Sequence, residues 1–148
     1  MSAEDTKAVV RRYFEAPQPG DAPIDELFSE DFVFDDSDSP LPLGDAEMMR
    51  LIGAISYDPP APGRRQIEVL GSLLHAAFPD WRYSIEDLVA ERDKVAIRLT
   101  GSGTHRGEGF IALPTGKRVT VDGIALMRLA HGKIVESWQV WGTPDVPD

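Results

Sequence analysis

The hydrophobic period of this chain changes at Pro79. Before it, apolar residues recur at helical spacing; after it, they alternate as on strands. Val9, Val10, Tyr13 and Phe14 predict an amphipathic helix over 3–16, opened by Ser2 and Asp5 in a capping-box arrangement. Pro23 opens a short helix, PIDELF, because proline is tolerated in a first helical turn. DFVFDD (31–36) reads as a short strand and GDAEMMRLIGAI (44–55) as a helix. A stripe of Ile67, Leu70, Leu74, Ala77 and Phe78 predicts a helix over about 64–78. APQPGDAP (16–23) and DPPAPG (58–63) are breaker loops, the second long enough to act as a lid.

Four strands follow: WRYSIEDLVAE, KVAIRLTGSGTH, KRVTVDGIALMRLA and KIVESWQVW. Residues 91–94, Pro114–Lys117 and His131-Gly132 are their expected turns. Helices first and a strand meander second give an α+β order, with helices on one face of an antiparallel sheet. Neither an internal repeat nor a linker divides the chain, so residues 1–148 are expected to form a single domain.

On the strand 94–105 the odd positions Val95, Ile97, Leu99, Gly101, Gly103 and His105 form the apolar face, which puts His105 on the core side. On 118–129 both faces are apolar, as for a strand buried centrally or against another subunit. Periodicity therefore leaves the direction of Asp122 open. If the hairpin turns at Pro114–Lys117, antiparallel symmetry sets His105 opposite Ile124 to Leu126, one or two pairs from Asp122. Gly103, Gly107 and Gly109 suggest bulges that would shift this register. Trp138 falls on one face with Ile134, Glu136 and Val140.

Composition removes several function classes. The formal charge is −10, which disfavours nucleic acid and anionic membrane surfaces as partners. There is no cysteine, hence no disulfide, thiolate nucleophile or cysteine metal site. No apolar run approaches the roughly 20 residues that span a bilayer. The acidic, amphipathic start lacks the order of a signal peptide, and a cytoplasmic protein is expected.

The segment 78–141 resembles the SnoaL-like polyketide cyclases through the FPDW turn, the D-x-V-A-x-R strand, THRG, the PTGK turn, VDGI and the ending HGKIVESW. VRRYFEA and FSEDFVF extend the likeness more loosely into the first half. The resemblance implies a nuclear transport factor 2-like cone, a curved antiparallel sheet with N-terminal helices enclosing a pocket, usually within a homodimer or higher oligomer. It implies a ring closure by intramolecular aldol condensation, with no metal and no organic cofactor. It further implies a general acid/base aspartate on a pocket strand and a histidine on the strand before it; Asp122 of VTVDGI and His105 of GTHRG occupy those positions. By the same pattern Trp138 lines the pocket. The chain departs from the family in having no asparagine, so a pocket amide must come from Gln18, Gln66 or Gln139.

A carboxylate in a water-poor pocket has a raised pKa and can take a proton from a carbon between carbonyls. A nearby imidazole can orient it or protonate the new alkoxide. Ile124 gives Asp122 apolar company, and Gly123 lets a ligand or backbone approach. Tyr13, Phe14, Trp81, Leu99, Phe34 and Asp35 complete the expected pocket, the last two at its mouth. His75 lies off its helix's apolar stripe and is expected in solvent, and His131 is explained by its turn. Asp35, Asp36 and Asp38 lack the spacing of a calcium loop. The expected function is a cofactor-independent cyclase or isomerase acting on an aromatic or apolar ketone. The alternatives are a related hydro-lyase or steroid-type isomerase, and a non-catalytic carrier or sensor of an apolar small molecule.

Overall fold

The computed structural model describes residues 2–17, 22–34, 64–106, 116–142 and 145. The expected helix over 44–55, the 58–63 loop and Asp35, Asp36 and Asp38 lie outside them. Helix α1 spans Ala3–Phe14, and its capping box forms: Asp5 N–H donates to Ser2 Oγ at 3.1 Å and Ser2 N–H to Asp5 Oδ2 at 3.0 Å. Thr6, Val10 and Phe14, one helical turn apart, are its buried stripe. Helix α2 (Ile24–Leu27) starts behind Pro23 and runs straight into strand β1 (Phe28–Phe34). Helix α3 spans Arg65–Ala77, burying Ile67 and Ala77 with Phe78 just beyond its end.

After Pro79 come β2 (Arg82–Glu91), β3 (Lys94–Thr104), β4 (Arg118–Ala130) and β5 (Lys133–Trp141), the four strands the alternation predicts. They pair antiparallel in a sheet of order β1-β5-β4-β3-β2. One edge departs from expectation: β1 joins β5 in parallel, Phe28 beside Ile134 and Phe34 beside Ser137. In the β4–β5 turn His131 (φ 53°) and Gly132 (φ 80°) both take the left-handed conformation of a tight hairpin.

The β3–β4 register differs from the expected one. Thr100 pairs with Asp122 and Thr104 with Arg118. The ladder closes where His105 N–H donates to Lys117 O at 2.9 Å and Gly116 N–H to His105 O at 2.8 Å. His105 therefore faces Lys117 rather than Ile124 to Leu126, and Pro114 and Thr115 of the expected turn lie outside the described residues. Nor does Gly103 mark a bulge, since the pairing runs through it and through Gly101; Gly107 and Gly109 lie outside the described residues. Gly101 and Gly103 make room instead: a Cβ on Gly101 would collide with the Trp81 ring, and one on Gly103 would press on Phe78 and Trp81.

Helix α1 packs on β2, β3 and β5 and so defines an inner face of the sheet. One core gathers Val10, Phe14, Phe28, Phe32, Ile97, Leu99 and Met127; a second gathers Ala77, Phe78, Trp81, Val119 and Val121. Each large side chain buried this way contributes on the order of 1.5–3 kcal/mol. Tyr83 and Trp141 border both cores and stay only half-buried.

Candidate functional site

His105 lies on the inner face, as its two-residue period predicts. It is completely buried, with its ring 5.3 Å from that of Phe78. The next residue ties the strand end to the helix layer, because Arg106 N–H donates to Ala77 O at 3.1 Å. Asp80 fastens the same corner by accepting Thr104 N–H at 2.7 Å and Thr104 Oγ–H at 2.9 Å. Burial alone would raise the Asp80 pKa, but the bonds from Thr104, its own backbone and the Arg118 charge outweigh it and hold the carboxyl below its ordinary value.

Asp122 is on the other face. Its carboxylate is exposed and accepts a hydrogen bond from Thr100 Oγ1 at 3.0 Å. The placement follows from the register: the outward residues of β3 (Thr100, Ser102, Thr104) set the outward parity of Thr120, Asp122 and Ile124 on β4. The expectation that Asp122 and His105 are diagonal neighbours on one face is thus corrected.

Two pocket assignments change with it. Ile124 is 58% exposed on the outer face. Trp138 is also outward, paired with Leu126. The reason is a bulge at Val135: Leu129 pairs with Ile134 but Arg128 with Glu136, so the parity of β5 flips within one turn of chain. Ile134 points in, Glu136, Trp138 and Val140 point out, and Ser137, Gln139 and Trp141 point in.

Of the remaining expected lining, Leu99 and Phe14 are core side chains, and Trp81 lies flat over Gly101. Tyr13 is on the inner face, its ring 4.8 Å from Phe14 and 5.0 Å from Phe28. The side chain of Phe34 lies outside the described residues, as does Asp35. His75 is exposed, as expected, and His131 sits in the left-handed turn position that explains it.

The inner face carries a polar wall that the alternation alone does not reveal. Trp141 Nε1–H donates to Gln139 Oε1 at 3.1 Å, and Gln139 Nε2–H donates to Ser137 Oγ at 3.2 Å. Ser137 is fully buried, while Gln139 and Trp141 keep part of their surface. The Trp141 ring rests on Gly123, where a Cβ would collide with it, and lies 6.0 Å from Tyr83. Burial pushes the Tyr83 hydroxyl up to about 12, and burial with the neighbouring Tyr83 pushes Tyr13 above the ordinary phenol range. Both phenols therefore stay protonated and able to donate. The Tyr13 hydroxyl makes no hydrogen bond to any described residue, nor does the second Gln139 N–H. The sequence did single out Gln139 as one of three possible pocket amides; Ser137 and Trp141 were missed because the Val135 bulge has no sequence signature, and Tyr83, on β2, was not singled out.

This wall offers neutral donors. The described carboxylates are exposed, apart from Glu136, which pairs outward with Arg128 at 3.8 Å. Among the described residues no group of side chains could hold a metal ion. A depression of about 580 Å³ at the opposite end of the sheet from His105, between Thr6, Arg92 and His131, takes in none of these residues. No described helix is long and apolar enough to cross a membrane.

The model of the SnoaL-like polyketide cyclase family matches residues 55–143. Among solved structures, AclR of Streptomyces galilaeus, described as a candidate hydroxylase, is 28% identical at a TM-score of 0.67, covering 95% of this chain and 91% of its own. IdmH of Streptomyces antibioticus, described as a candidate polyketide cyclase, is also 28% identical at 0.67, covering 92% and 91%. TsrD of Streptomyces laurentii shares the fold at 0.72 with 18% identity, covering 95% and 90%. The sequence matches no curated protein.

Proposed function

The chain belongs to the SnoaL-like polyketide cyclase family, and from that premise we propose that it enolises an aromatic or apolar ketone held against the inner face of its sheet. The observation that carries this is the donor wall: neutral Tyr13 and Tyr83 beside the Trp141–Gln139–Ser137 chain. A ketone oxygen gains negative charge as its α-proton leaves. Neutral donors in a water-poor site stabilise that charge most where it develops. Charged donors would cost desolvation in the same place.

Asp122 does not serve as the internal base in this reading, because its carboxylate points away from the wall. His105 is the one imidazole among the described inner-face side chains, and the part of the base is assigned to it. Aldol closure then follows when the stabilised enolate attacks a second carbonyl of the same ligand.

The test needs no knowledge of the natural substrate. 2-Tetralone has exchangeable α-protons that proton NMR follows in D₂O. The protein should accelerate exchange, Tyr83→Phe should slow it about tenfold or more, the value of roughly one hydrogen bond in the transition state, and His105→Gln should abolish it. Asp122→Asn should leave it unchanged. Exchange at the buffer rate with intact ketone binding favours the second reading, a carrier, for which the absence of any inward described carboxylate is the specific support.

The outer face has its own reading. Val89, Ala96, Leu126 and Trp138 lie side by side across four strands, and Ile124 and Val140 pair in the row beside them. Val89, Ile124, Val140 and Val33 are exposed apolar residues on this one surface. We assign it to a second copy of the chain, which accounts for the apolar character of both faces of β4.

A further inference from the structure

We propose that Trp141 is a specificity-determining positioning residue: its indole N–H fixes which end of the Gln139 amide meets a ligand, so that the site accepts a carbonyl oxygen and rejects a donor-only N–H group at that point. The proposal rests on the reading of the inner face as a carbonyl-binding wall.

A carboxamide has two ends of opposite character, and left alone it turns to suit either kind of partner. Gln139 is not left alone. Indole nitrogen carries one hydrogen and no lone pair available to accept, so the Trp141 contact at 3.1 Å can be made only by the amide oxygen. The amide nitrogen is thereby turned to Ser137 Oγ at 3.2 Å, a hydroxyl able to accept. One N–H of that nitrogen remains without an acceptor among the described residues, on a half-buried side chain of the inner face. The free end of the amide is a donor because the bound end is an oxygen.

Trp141 is itself held. It rests on Gly123, which has no side chain to lift it, and Tyr83 stands 6.0 Å away with the rings inclined by 36°. Turning the amide over would set its NH₂ against the indole N–H and leave two donors facing each other. That arrangement loses one buried hydrogen bond and creates an unpaired pair of donors. Ligand choice at Gln139 is thus set by a residue that need not touch the ligand's oxygen.

Three tricyclic probes of nearly one shape test this. Fluorenone offers an acceptor, carbazole a donor, and fluorene neither. The unaltered protein should bind fluorenone about tenfold tighter than fluorene, the equivalent of one net hydrogen bond, and carbazole no tighter than fluorene. Trp141→Phe should bring fluorenone and carbazole to within about threefold of each other while fluorene binding persists, because Gln139 can now present either end. Replacing Trp141 with benzothienylalanine, which keeps the ring and deletes only the N–H, should give the same result if the phenylalanine variant folds poorly. Full preference for fluorenone in the benzothienylalanine variant overturns the proposal. If the unaltered protein already shows no preference for fluorenone over fluorene, the carbonyl-wall reading itself has failed. If Tyr83→Phe removes the preference and benzothienylalanine does not, the wall stands and the role of Trp141 falls.

Discussion

Asp122 and His105 lie on opposite faces of one sheet: the carboxylate accepts Thr100 Oγ1 at 3.0 Å outside, and the imidazole packs 5.3 Å from the Phe78 ring inside. Side-chain period two makes this an either-or matter, since one position of register exchanges the faces. Asp122→Asn keeps the shape and the hydrogen bond. It should shift the melting temperature by no more than about 3 °C and leave fluorenone affinity unchanged, both read by thermal melts and titration.

Gly123 and Trp141 predict the opposite sensitivity. A side chain at 123 would occupy space the indole now fills. Gly123→Val should cost roughly 1–3 kcal/mol by overpacking and displace the ring from Gln139. Chemical denaturation measures the first effect. Loss of the fluorenone preference over fluorene measures the second.

The outer stripe predicts an oligomer. Leu126→Asp places a charge between Ala96 and Trp138, where a partner copy would exclude water. Sedimentation velocity should show the native chain as a dimer and this variant as a monomer with its fluorenone affinity retained. A native monomer at micromolar concentration contradicts the assignment.

Stability should fall at both ends of the pH scale for reasons that can be assigned. The Asp80 carboxyl is held below its ordinary 3.8 in the folded chain, so its contribution is full above that value and is lost as pH falls through the lower, folded pKa. Asp80→Asn should flatten the acid limb of the stability curve. Tyr83 moves from 10.0 to about 12 on folding. The unfolded chain therefore ionises first, and stability drops as pH rises between those two values. Tyr83→Phe should remove that part of the alkaline loss and a phenolate absorbance that develops only near the upper value.

Much of the fold was legible because its signals are local. The capping box at Ser2, the α1 stripe and the four strands each depend on a few neighbouring residues. The inward direction of His105 followed because only one face of β3 is apolar. What could not be read was set at a distance. The parallel pairing of β1 with β5 joins remote segments and leaves no mark in either. The β4 strand is apolar on both faces, so Asp122 had to be placed through the hairpin, and the PTGK turn suggested a closure that the ladder does not make. On β5 a single bulged residue, Val135, turned Trp138 outward and brought Gln139 and Trp141 in. The sequence carried the right residue types for the site, and the β3–β4 register and the Val135 bulge decided which of them face it.

If the inner face presents neutral hydrogen-bond donors to a ligand carbonyl, the infrared carbonyl stretch of bound fluorenone reports it directly. The stretch should move to lower frequency than in an apolar solvent, and it should return toward that position in Tyr83→Phe and Gln139→Met while staying shifted in Asp122→Asn. A bound fluorenone whose stretch matches the apolar solvent in the unaltered protein would overturn the proposed carbonyl-binding wall.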